Sequence, residues 1–375
     1  MDILFNAWSS LESPRPFPKL ESLGRPGHPF QIHRGEVLAS TTLIHSRLCH
    51  LRIQTSVSGS ACDHEVNSFF DLVTQNGQNL KVLDLRGSSK GPLDFLFFTQ
   101  FPSLEVLNLP YYLPITPDNL SQLSQVPHLT EMSVPTCDWQ FGETHEYPTP
   151  FQALKVWDFG YLGGEGSQKL LSLEVHPPSV RVVKGSTYSN TAFENLVKFA
   201  STNIPKVEEI SFEVGDILCS YHVKDLAALH HLRILRIDKV CEMKVTDEDI
   251  ESIVKTVPRL ESFTLGSNQP SSTRITLLSV HHLVKYCQDI GFIKLTFDAC
   301  TYPEIAETSH TNNTSGDRKR LIIDVQRSRT DEAEPTAKWF HKCCSGFERV
   351  QVQRPWKPNH AVWSKVSSIL HDMLA

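Results

Sequence analysis

The chain has 375 residues, a length that accommodates two or three globular domains or one elongated body built by repetition. Apolar residues make up 40% of the sequence, charged residues 21% and aromatic residues 9%, so a substantial core can form and wholesale disorder is excluded. The 36 Lys and Arg against 42 Asp and Glu give a formal net charge of -6, which excludes a global positive field that would attract nucleic acid or anionic lipid.

A short strand pattern recurs along the chain. It consists of an apolar anchor, two residues, an apolar residue, one residue and another apolar residue, as in Leu80-Lys-Val-Leu83-Asp-Leu85. Full copies start at Leu48, Leu80, Leu104, Leu129, Leu154, Val207, Leu232, Leu260, Ile290 and Phe347, and weaker copies at Leu20, Val180 and Arg320. From Leu104 to Ile290 the anchors step by 25, 25, 26, 27, 25, 28 and 30 residues, so the period marks a structural unit.

Helices are predicted between these strands. A proline often stands two residues before the anchor, where it ends a helix and starts an extended segment. Helical spacing of apolar residues occurs at 66–73, 193–200 and 250–257, and Thr246 has the character of an N-cap followed by acidic residues. Near the end of the chain, 336–343 and 361–370 are predicted helices that flank a last strand at 347–352 and cap the array.

A short strand plus a helix, repeated every 25 to 30 residues, is the leucine-rich-repeat unit. One unit cannot bury its own apolar edge, so we expect an irregular α/β solenoid, a horseshoe with a concave parallel sheet and convex helices. Leu83, Leu107, Leu235 and Trp157 are expected in its core. The expected organisation is an N-terminal segment at 1–16, the array at 17–335 with a flexible polar insertion at about 301–320, and the last repeat with its helical cap at 336–375.

The repeat starts, such as Phe101-Pro-Ser-Leu104-Glu-Val-Leu107 and Val257-Pro-Arg-Leu260-Glu-Ser-Phe263, carry a family resemblance. Over about residues 17–352 the array resembles the repeat regions of fungal F-box and leucine-rich-repeat proteins. In that family the F-box docks on the cullin ligase adaptor and the repeats hold a substrate, so the resemblance implies a substrate receptor of a ubiquitin ligase. The stretch 1–16 is too short to fold as an F-box, so binding of the ligase adaptor is not expected of this polypeptide.

Motifs for catalysis, cofactors or metals are not recognisable. The glycine-rich stretch 160–169 lacks the Gly-Lys-Ser/Thr order of a phosphate-binding loop and is interpreted as a turn between repeats. The histidine pairs at 230–231 and 281–282 and the cysteine pair at 343–344 lack the spacing of a zinc site. We therefore predict no catalytic, cofactor-binding or metal-binding residues and no cofactor.

Candidate partner-binding residues follow from the phase of the repeats. Strand residues that alternate with the buried ones face the concave surface, and aromatic residues near the ends of the strands offer anchors on the adjoining rim. The candidates are Asp84, Arg86, Asp158, Glu213, Arg236 and Asp238 on the concave face, and Tyr111, Trp139 and Tyr161 on the rim.

The cellular location is predicted from the N-terminus and the cysteines. No basic stretch precedes a long apolar run, and no segment reaches the roughly 20 apolar residues that cross a bilayer. Nine cysteines are an odd number for a disulfide framework, so reduced thiols in a cytoplasmic or nuclear protein fit better.

The sequence thus predicts a protein-protein interaction module with a protein partner on the concave face or rim, and with no nucleic-acid or membrane partner. Two alternatives stay open. One is a structural scaffold without a ligase role, and the other is an enzyme that uses the repeats as a scaffold.

Overall fold

The computed structural model describes most of the repeat array. The described residues are 20–24, 30–32, 46–55, 71, 73–87, 95–110, 113, 115–134, 151–171, 176–267, 274–304, 320–344, 347, 349–353 and 360–374. The chain forms two compact units, Met1–Val180 and Arg181–Ala375. Most of the helix predicted at 66–73 and most of the insertion predicted at 301–320 lie outside the described residues.

The first unit contains a parallel sheet. Its strands are β1 (Ser22–Leu23), β2 (Phe30–Ile32), β3 (His50–Thr55), β4 (Val82–Gly87), β5 (Val106–Asn108), β6 (Glu131–Ser133) and β7 (Val156–Tyr161). They pair in the order β1-β3-β4-β5-β6-β7, and β2 also pairs with β3. The helices are a 3-10 helix at Phe95–Gln100, α1 (Pro117–Ser124) and α2 (Gly164–Leu171). The turn predicted at 160–169 is therefore wrong, because α2 begins inside it at Gly164 and buries Leu170.

The second unit repeats the arrangement. Its strands are β8 (Val182–Thr187), β9 (Glu209–Val214), β10 (Ile217–Cys219), β11 (Ile234–Val240), β12 (Glu242–Lys244), β13 (Ser262–Ser267), β14 (Phe292–Leu295), β15 (Arg320–Asp324) and β16 (Arg349–Gln353). The main sheet is parallel in the order β8-β9-β11-β13-β14-β15-β16, and β10 pairs with β12 in a separate parallel ladder.

The helices of the second unit lie between these strands in the chain. They are α3 (Asn190–Asn203), α4 (Ser220–Val223), α5 (Asp247–Thr256), α6 (Leu277–Tyr286), α7 (Ala333–Cys343) and α8 (His360–Leu374), with a 3-10 helix at Lys224–Ala228. The helices predicted at 193–200, 250–257, 336–343 and 361–370 are confirmed. Strand and helix alternate in both units with the spacing of the sequence repeat, so the predicted leucine-rich-repeat solenoid fold is confirmed.

Each unit has one continuous core row beneath its sheet. In the first unit Leu83, Leu107, Met132 and Trp157 are paired in register on neighbouring strands, and none is exposed. In the second unit the equivalent row is Val183, Ile210, Leu235, Phe263, Ile293 and Ile323. The predicted burial of Leu83, Leu107, Leu235 and Trp157 is confirmed.

A recurring turn carries each helix into the next strand. The N–H of the anchor donates to the carbonyl three residues earlier, as from Leu104 to Phe101 at 3.2 Å and from Leu260 to Val257 at 3.2 Å. The next two N–H groups both donate to one carbonyl of the preceding repeat. Glu105 and Val106, for example, both donate to Lys81 O. Each repeat is therefore hydrogen-bonded to its predecessor before its strand begins.

The helices are also linked from one repeat to the next. Thr246 caps α5 as predicted, because its side chain accepts from the N–H of Asp249 and its own N–H donates to the Asp249 carboxylate. The carboxylate of Asp247 is largely buried and accepts from the backbone N–H and hydroxyl of both Thr276 and Ser279, at the start of α6. One acid of α5 thus accepts from the N-cap and from the third residue of the next helix.

Two tryptophans anchor the C-terminal helices. Trp363 on α8 is fully buried and donates from Nε1 to Ser328 O at 2.9 Å, and its ring meets Phe297 edge to face. Trp339 on α7 donates to Pro303 O at 3.1 Å. Helix α8 packs against α7 and β16, which covers apolar surface at the last described strand.

Replacing Leu107 or Leu235 by Ala should lower the free energy of unfolding by about 2–5 kcal/mol, because each change leaves a cavity in a closed core row. Urea denaturation followed by circular dichroism measures the loss. The matched control is Leu171→Ala on α2, whose side chain is 45% exposed, and this change should stay within about 0.5 kcal/mol. Losses of that small size at the two core positions would contradict the core assignment.

Acid should destabilise the second unit through two buried histidines, His222 and His282. Burial lowers the pKa of both below the ordinary value of 6.5, so the unfolded chain takes up protons first as pH falls. Their contribution to stability is complete above pH 6.5 and declines as pH falls from there toward their lower folded-state pKa values. Urea denaturation at pH 7.5 and pH 5.5 should show this decline.

The variants His222→Asn and His282→Gln should each reduce the loss between the two pH values, because neither replacement side chain titrates there. The control is His231→Gln at an exposed turn position. A pH dependence that is identical in all three variants and the parent chain would contradict the role of the two buried rings.

Candidate functional site

The open face of each sheet carries the predicted concave-face residues. We define the open face by the strand residues that alternate with the buried ones. Asp84 and Arg86 lie on it in β4, Asp158 in β7, Glu213 in β9, and Arg236 and Asp238 in β11. The alternation predicted from the sequence thus places all six on this face, and their contact with a partner stays a prediction.

Asp84 is covered by its neighbours on the open face of the first unit. Its side chain is 3% exposed, and both its carboxylate oxygens accept from Arg86, at 3.1 Å from Nε and 3.1 Å from NH2. Arg52 on β3 lies 3.8 Å from the same carboxylate. The Arg86 side chain remains 44% exposed, so a partner at this point would meet the guanidinium and not the buried acid.

The predicted rim site is described at only one of its three residues. Tyr111 and Trp139 lie outside the described residues. Tyr161 is half-buried at the last position of β7. Nearby, Gly160 has a positive φ of 53° and donates its N–H to the Asp158 carboxylate at 2.8 Å. Asp158 therefore also stabilises the end of its own strand.

The open face of the second unit carries three ion pairs between strands. Glu213 pairs with Lys239 at 2.7 Å and raises the pKa of that lysine through the hydrogen bond. Arg236 lies 3.5 Å from Glu209 on β9. Asp238 reaches Lys294 on β14 at 2.7 Å.

Asp238 and Lys294 meet across the intervening strand because of Gly266 on β13. A Cβ at Gly266 would lie 2.5 Å from Asp238 Oδ1, so any larger residue would push that carboxylate away. A glycine on β13 therefore permits the contact between β11 and β14.

Two exposed tyrosines form a surface that the sequence interpretation missed. Tyr188 is 73% exposed and Tyr221 is 61% exposed, the highest values among the large hydrophobic side chains in the part of the chain that the structure describes. Together with Gly215 and Asp216 they form what we call the tyrosine rim. It lies just beyond the carboxyl ends of β8, β9 and β10.

The ring of Tyr188 is held in place by a glycine. Tyr188 directly follows β8, and the neighbouring N–H of Gly215 donates to Thr187 O at 2.7 Å. A Cβ at Gly215 would lie 2.1 Å from Cδ1 of Tyr188, which means that the ring rests directly on the glycine backbone. One face of the ring is therefore packed and the rest is open to solvent.

Tyr221 sits on the short helix α4, which buried contacts hold in place. The Cys219 N–H donates to Nδ1 of the buried His222 at 3.0 Å, and Ser220 Oγ donates to Asp249 at the start of α5. The ring centroids of Tyr221 and His222 lie 3.9 Å apart. Asp216 lies between the two tyrosines in the chain, and its carbonyl accepts from Cys241 N at 3.0 Å.

The spacing from the repeat anchors contained a signal for the tyrosine rim. Tyr188 stands eight residues after the weak anchor Val180, and Gly215 stands eight residues after the anchor Val207. Equivalent positions of neighbouring repeats stack beside each other, so a tyrosine next to a glycine was predictable at this point. The degenerate strand pattern at Val180 concealed it.

The described cysteines include two whose thiols have a strongly raised pKa. Burial raises the pKa of Cys287 to about 12, and burial with the nearby acids Asp298 and Asp331 raises the pKa of Cys300 to about 12, so both thiols stay protonated at neutral pH. Among the residues that the structure describes, no three His, Cys, Asp or Glu side chains converge as a metal site. None of the described helices is long and apolar enough to span a membrane.

Comparisons with known proteins return structural neighbours only. No family model matches the sequence, and no curated protein is significantly similar to it. An internalin (inlF) of Listeria monocytogenes aligns over 92% of this chain and 85% of its own, with 13% identity and a TM-score of 0.35. The Toll–Spatzle complex of Drosophila aligns over 84% of this chain and 45% of its own, also with 13% identity and a TM-score of 0.35.

Internalin and Toll are both leucine-rich-repeat proteins. At these TM-scores the likeness carries no argument about function. The fold assignment rests on the strand pairing and repeat spacing of this chain itself.

Proposed function

We propose that the chain is a protein-interaction module and that a protein partner contacts the tyrosine rim and the adjoining open face of the second unit. The observation that carries this proposal is Tyr188, which is 73% exposed and yet rests on Gly215. A large aromatic side chain that is already ordered loses little conformational entropy when a partner covers it. Tyrosine is also among the residue types that dominate binding energy at interfaces.

The surroundings of the two tyrosines support an interface of ordinary composition. Glu213 and Lys239 form an exposed ion pair beside Tyr188, and Asp216 lies between the tyrosines in the chain. Aromatic anchors with charged groups around them are the usual arrangement of a hot spot and its rim. A purely structural scaffold gives no reason to keep two large rings in solvent just beyond the strand ends.

The finer proposal is a relation to ubiquitin-ligase substrate receptors, and it rests on the family resemblance of the repeat starts. In this proposal the chain works in the cytoplasm or nucleus and its repeats hold a substrate protein. Its partner surface then corresponds to the substrate side of such a receptor. In this proposal the ligase adaptor is not expected to dock on residues 1–375.

Replacing Tyr188 or Tyr221 by Ala should weaken a purified complex by about 1–2 kcal/mol, roughly 5- to 30-fold in Kd, if these rings are anchors. Affinity purification of the tagged chain, with mass spectrometry, identifies partners whose recovery falls in both variants. Isothermal titration calorimetry with the purified partner then measures the affinity. Met373→Ala on α8, also at an exposed apolar side chain, is the control.

Gly215→Ala tests the same surface without removing any aromatic ring. The added Cβ displaces the Tyr188 ring, so affinity should fall as it does in Tyr188→Ala while the unfolding transition confirms that the chain is folded. A partner that binds all three rim variants with the affinity of the parent chain would place the interface elsewhere.

The tagged chain should not copurify with the cullin ligase adaptor, because the adaptor docks on the F-box in the family that the repeats resemble. A known F-box protein expressed with the same tag is the positive control. Recovery of the adaptor with the chain, persisting after deletion of residues 1–16, would show that the repeats themselves contain a docking surface and would overturn this expectation.

A further inference from the structure

Three strands of the second unit present the same pair of side chains on the open face. Each of β8, β11 and β14 carries an apolar residue followed two positions later by a basic one. We call them doublets: Val182 with Lys184, Ile234 with Arg236, and Phe292 with Lys294. All three apolar side chains are partly exposed.

The register of the sheet aligns the doublets in two rows that cross the strands. Val182 and Ile234 are both paired with Glu209, and Ile234 and Phe292 are both paired with Ser262. Lys184, Arg236 and Lys294 are aligned in the same way through Ser211 and Thr264. One strand separates each doublet from the next, so the doublets repeat at about 9.5 Å, twice the spacing of neighbouring strands.

The intervening strands lie lower on this face because their side chains are mostly small. Strand β13 presents Ser262, Thr264 and Gly266 between the second and third doublets, and Thr264 is only 2% exposed. Strand β9 presents Ser211 between the basic residues of the first and second doublets. Glu209, between their apolar residues, is the one large side chain that β9 contributes to the two rows. The doublets therefore stand as ridges at a regular interval.

The basic groups are available to a partner. Lys184 forms no ion pair or hydrogen bond within the described residues. Arg236 is 48% exposed and lies 3.5 Å from Glu209, so its guanidinium can also pair with a partner carboxylate. Lys294 is 20% exposed and bonds Asp238 at 2.7 Å, and its ammonium has two further N–H donors for a partner carboxylate.

We propose that these rows bind an extended segment of a protein partner that runs across the strands and carries one apolar and one acidic residue in every three. The inference rests on the proposed function and names the chemistry of the partner. A polyproline II chain has three residues per turn and advances about 3.1 Å per residue, so every third side chain returns to the same face after about 9.3 Å and matches the doublet interval. In a β-strand, residues three apart point to opposite faces and could not contact successive doublets. A repeat of two or four residues would miss it by about 3 Å at every step.

The test uses three fluorescein-labelled peptides and the full chain. The first is four repeats of Leu-Ser-Glu. The second has the same composition in an order without a three-residue period, and the third is four repeats of Leu-Ser-Lys. Fluorescence anisotropy at low salt should show binding of the first peptide about tenfold tighter than binding of the other two, since several exposed charge contacts are gained or reversed.

Variants of the central doublet locate the site. Ile234→Ala and Arg236→Ala should each weaken binding of the Leu-Ser-Glu peptide several-fold. Either change leaves only the doublets of β8 and β14 complete, and these lie four strand spacings apart. Lys338→Ala, an exposed basic residue on α7, is the matched control and should leave binding unchanged. Circular dichroism and the unfolding midpoint confirm that each variant is folded.

Each outcome decides for or against the proposal. Equal affinity for the periodic and aperiodic peptides, or binding that survives both doublet variants, would overturn it. If the rim variants lose a purified partner while the peptides show no preference for period or charge, the interaction module stands and this inference fails. If the rim variants change nothing and the peptides also show no preference, both fail.

Discussion

In-register parallel pairing is the constraint on which the rest of the structure depends. A single strand of two to seven residues is not stable alone, and its apolar side chains are buried only when the next repeat places equivalent ones beside them. The pairing is set before each strand begins, since two consecutive N–H groups of one repeat converge on one carbonyl of the repeat before it. A slip of one residue would turn the core row, including Leu107 and Leu235, onto the open face.

Charges at the start of the strands reinforce this register. The residues just before β8, β9, β11 and β13 alternate in sign and form successive contacts of 3.5, 3.7 and 2.5 Å: Arg181, Glu208, Arg233 and Glu261. A strand shifted by one residue would break these pairs, since Glu208 would then lie opposite apolar residues such as Val182 and Ile234. Each exposed pair contributes little to stability by itself, so the effect of the ladder is specificity among registers more than a large gain in free energy.

The sequence allowed prediction of the strand order and of the open face because both depend on short-range period and alternation. The weak copies at Val180 and Arg320 form full strands, β8 and β15, because the neighbouring strands supply hydrogen-bond partners even where the local sequence pattern is poor.

The burial of an open-face side chain by its neighbours could not be predicted from the sequence pattern. Asp84 was predictable as an open-face residue, but its burial depends on the rotamers of Arg52 and Arg86, which no spacing rule determines. The helix α2 was missed because glycines near its start resemble a turn.

The phase of the repeats also explains how a position that is normally structural becomes an exposed surface. In a regular leucine-rich repeat the residue eight positions after the anchor faces inward and packs between neighbouring repeats, as the buried Val240 does here. At that position in the repeat of Val180, Tyr188 is 73% exposed, and its ring rests on the backbone of Gly215 at the same position of the next repeat. Tyr188 is therefore turned outward and fixed at the same time. Exposure and order normally oppose each other for a large side chain, and their combination at one irregular repeat is the physical basis of our proposal that the tyrosine rim contacts another protein.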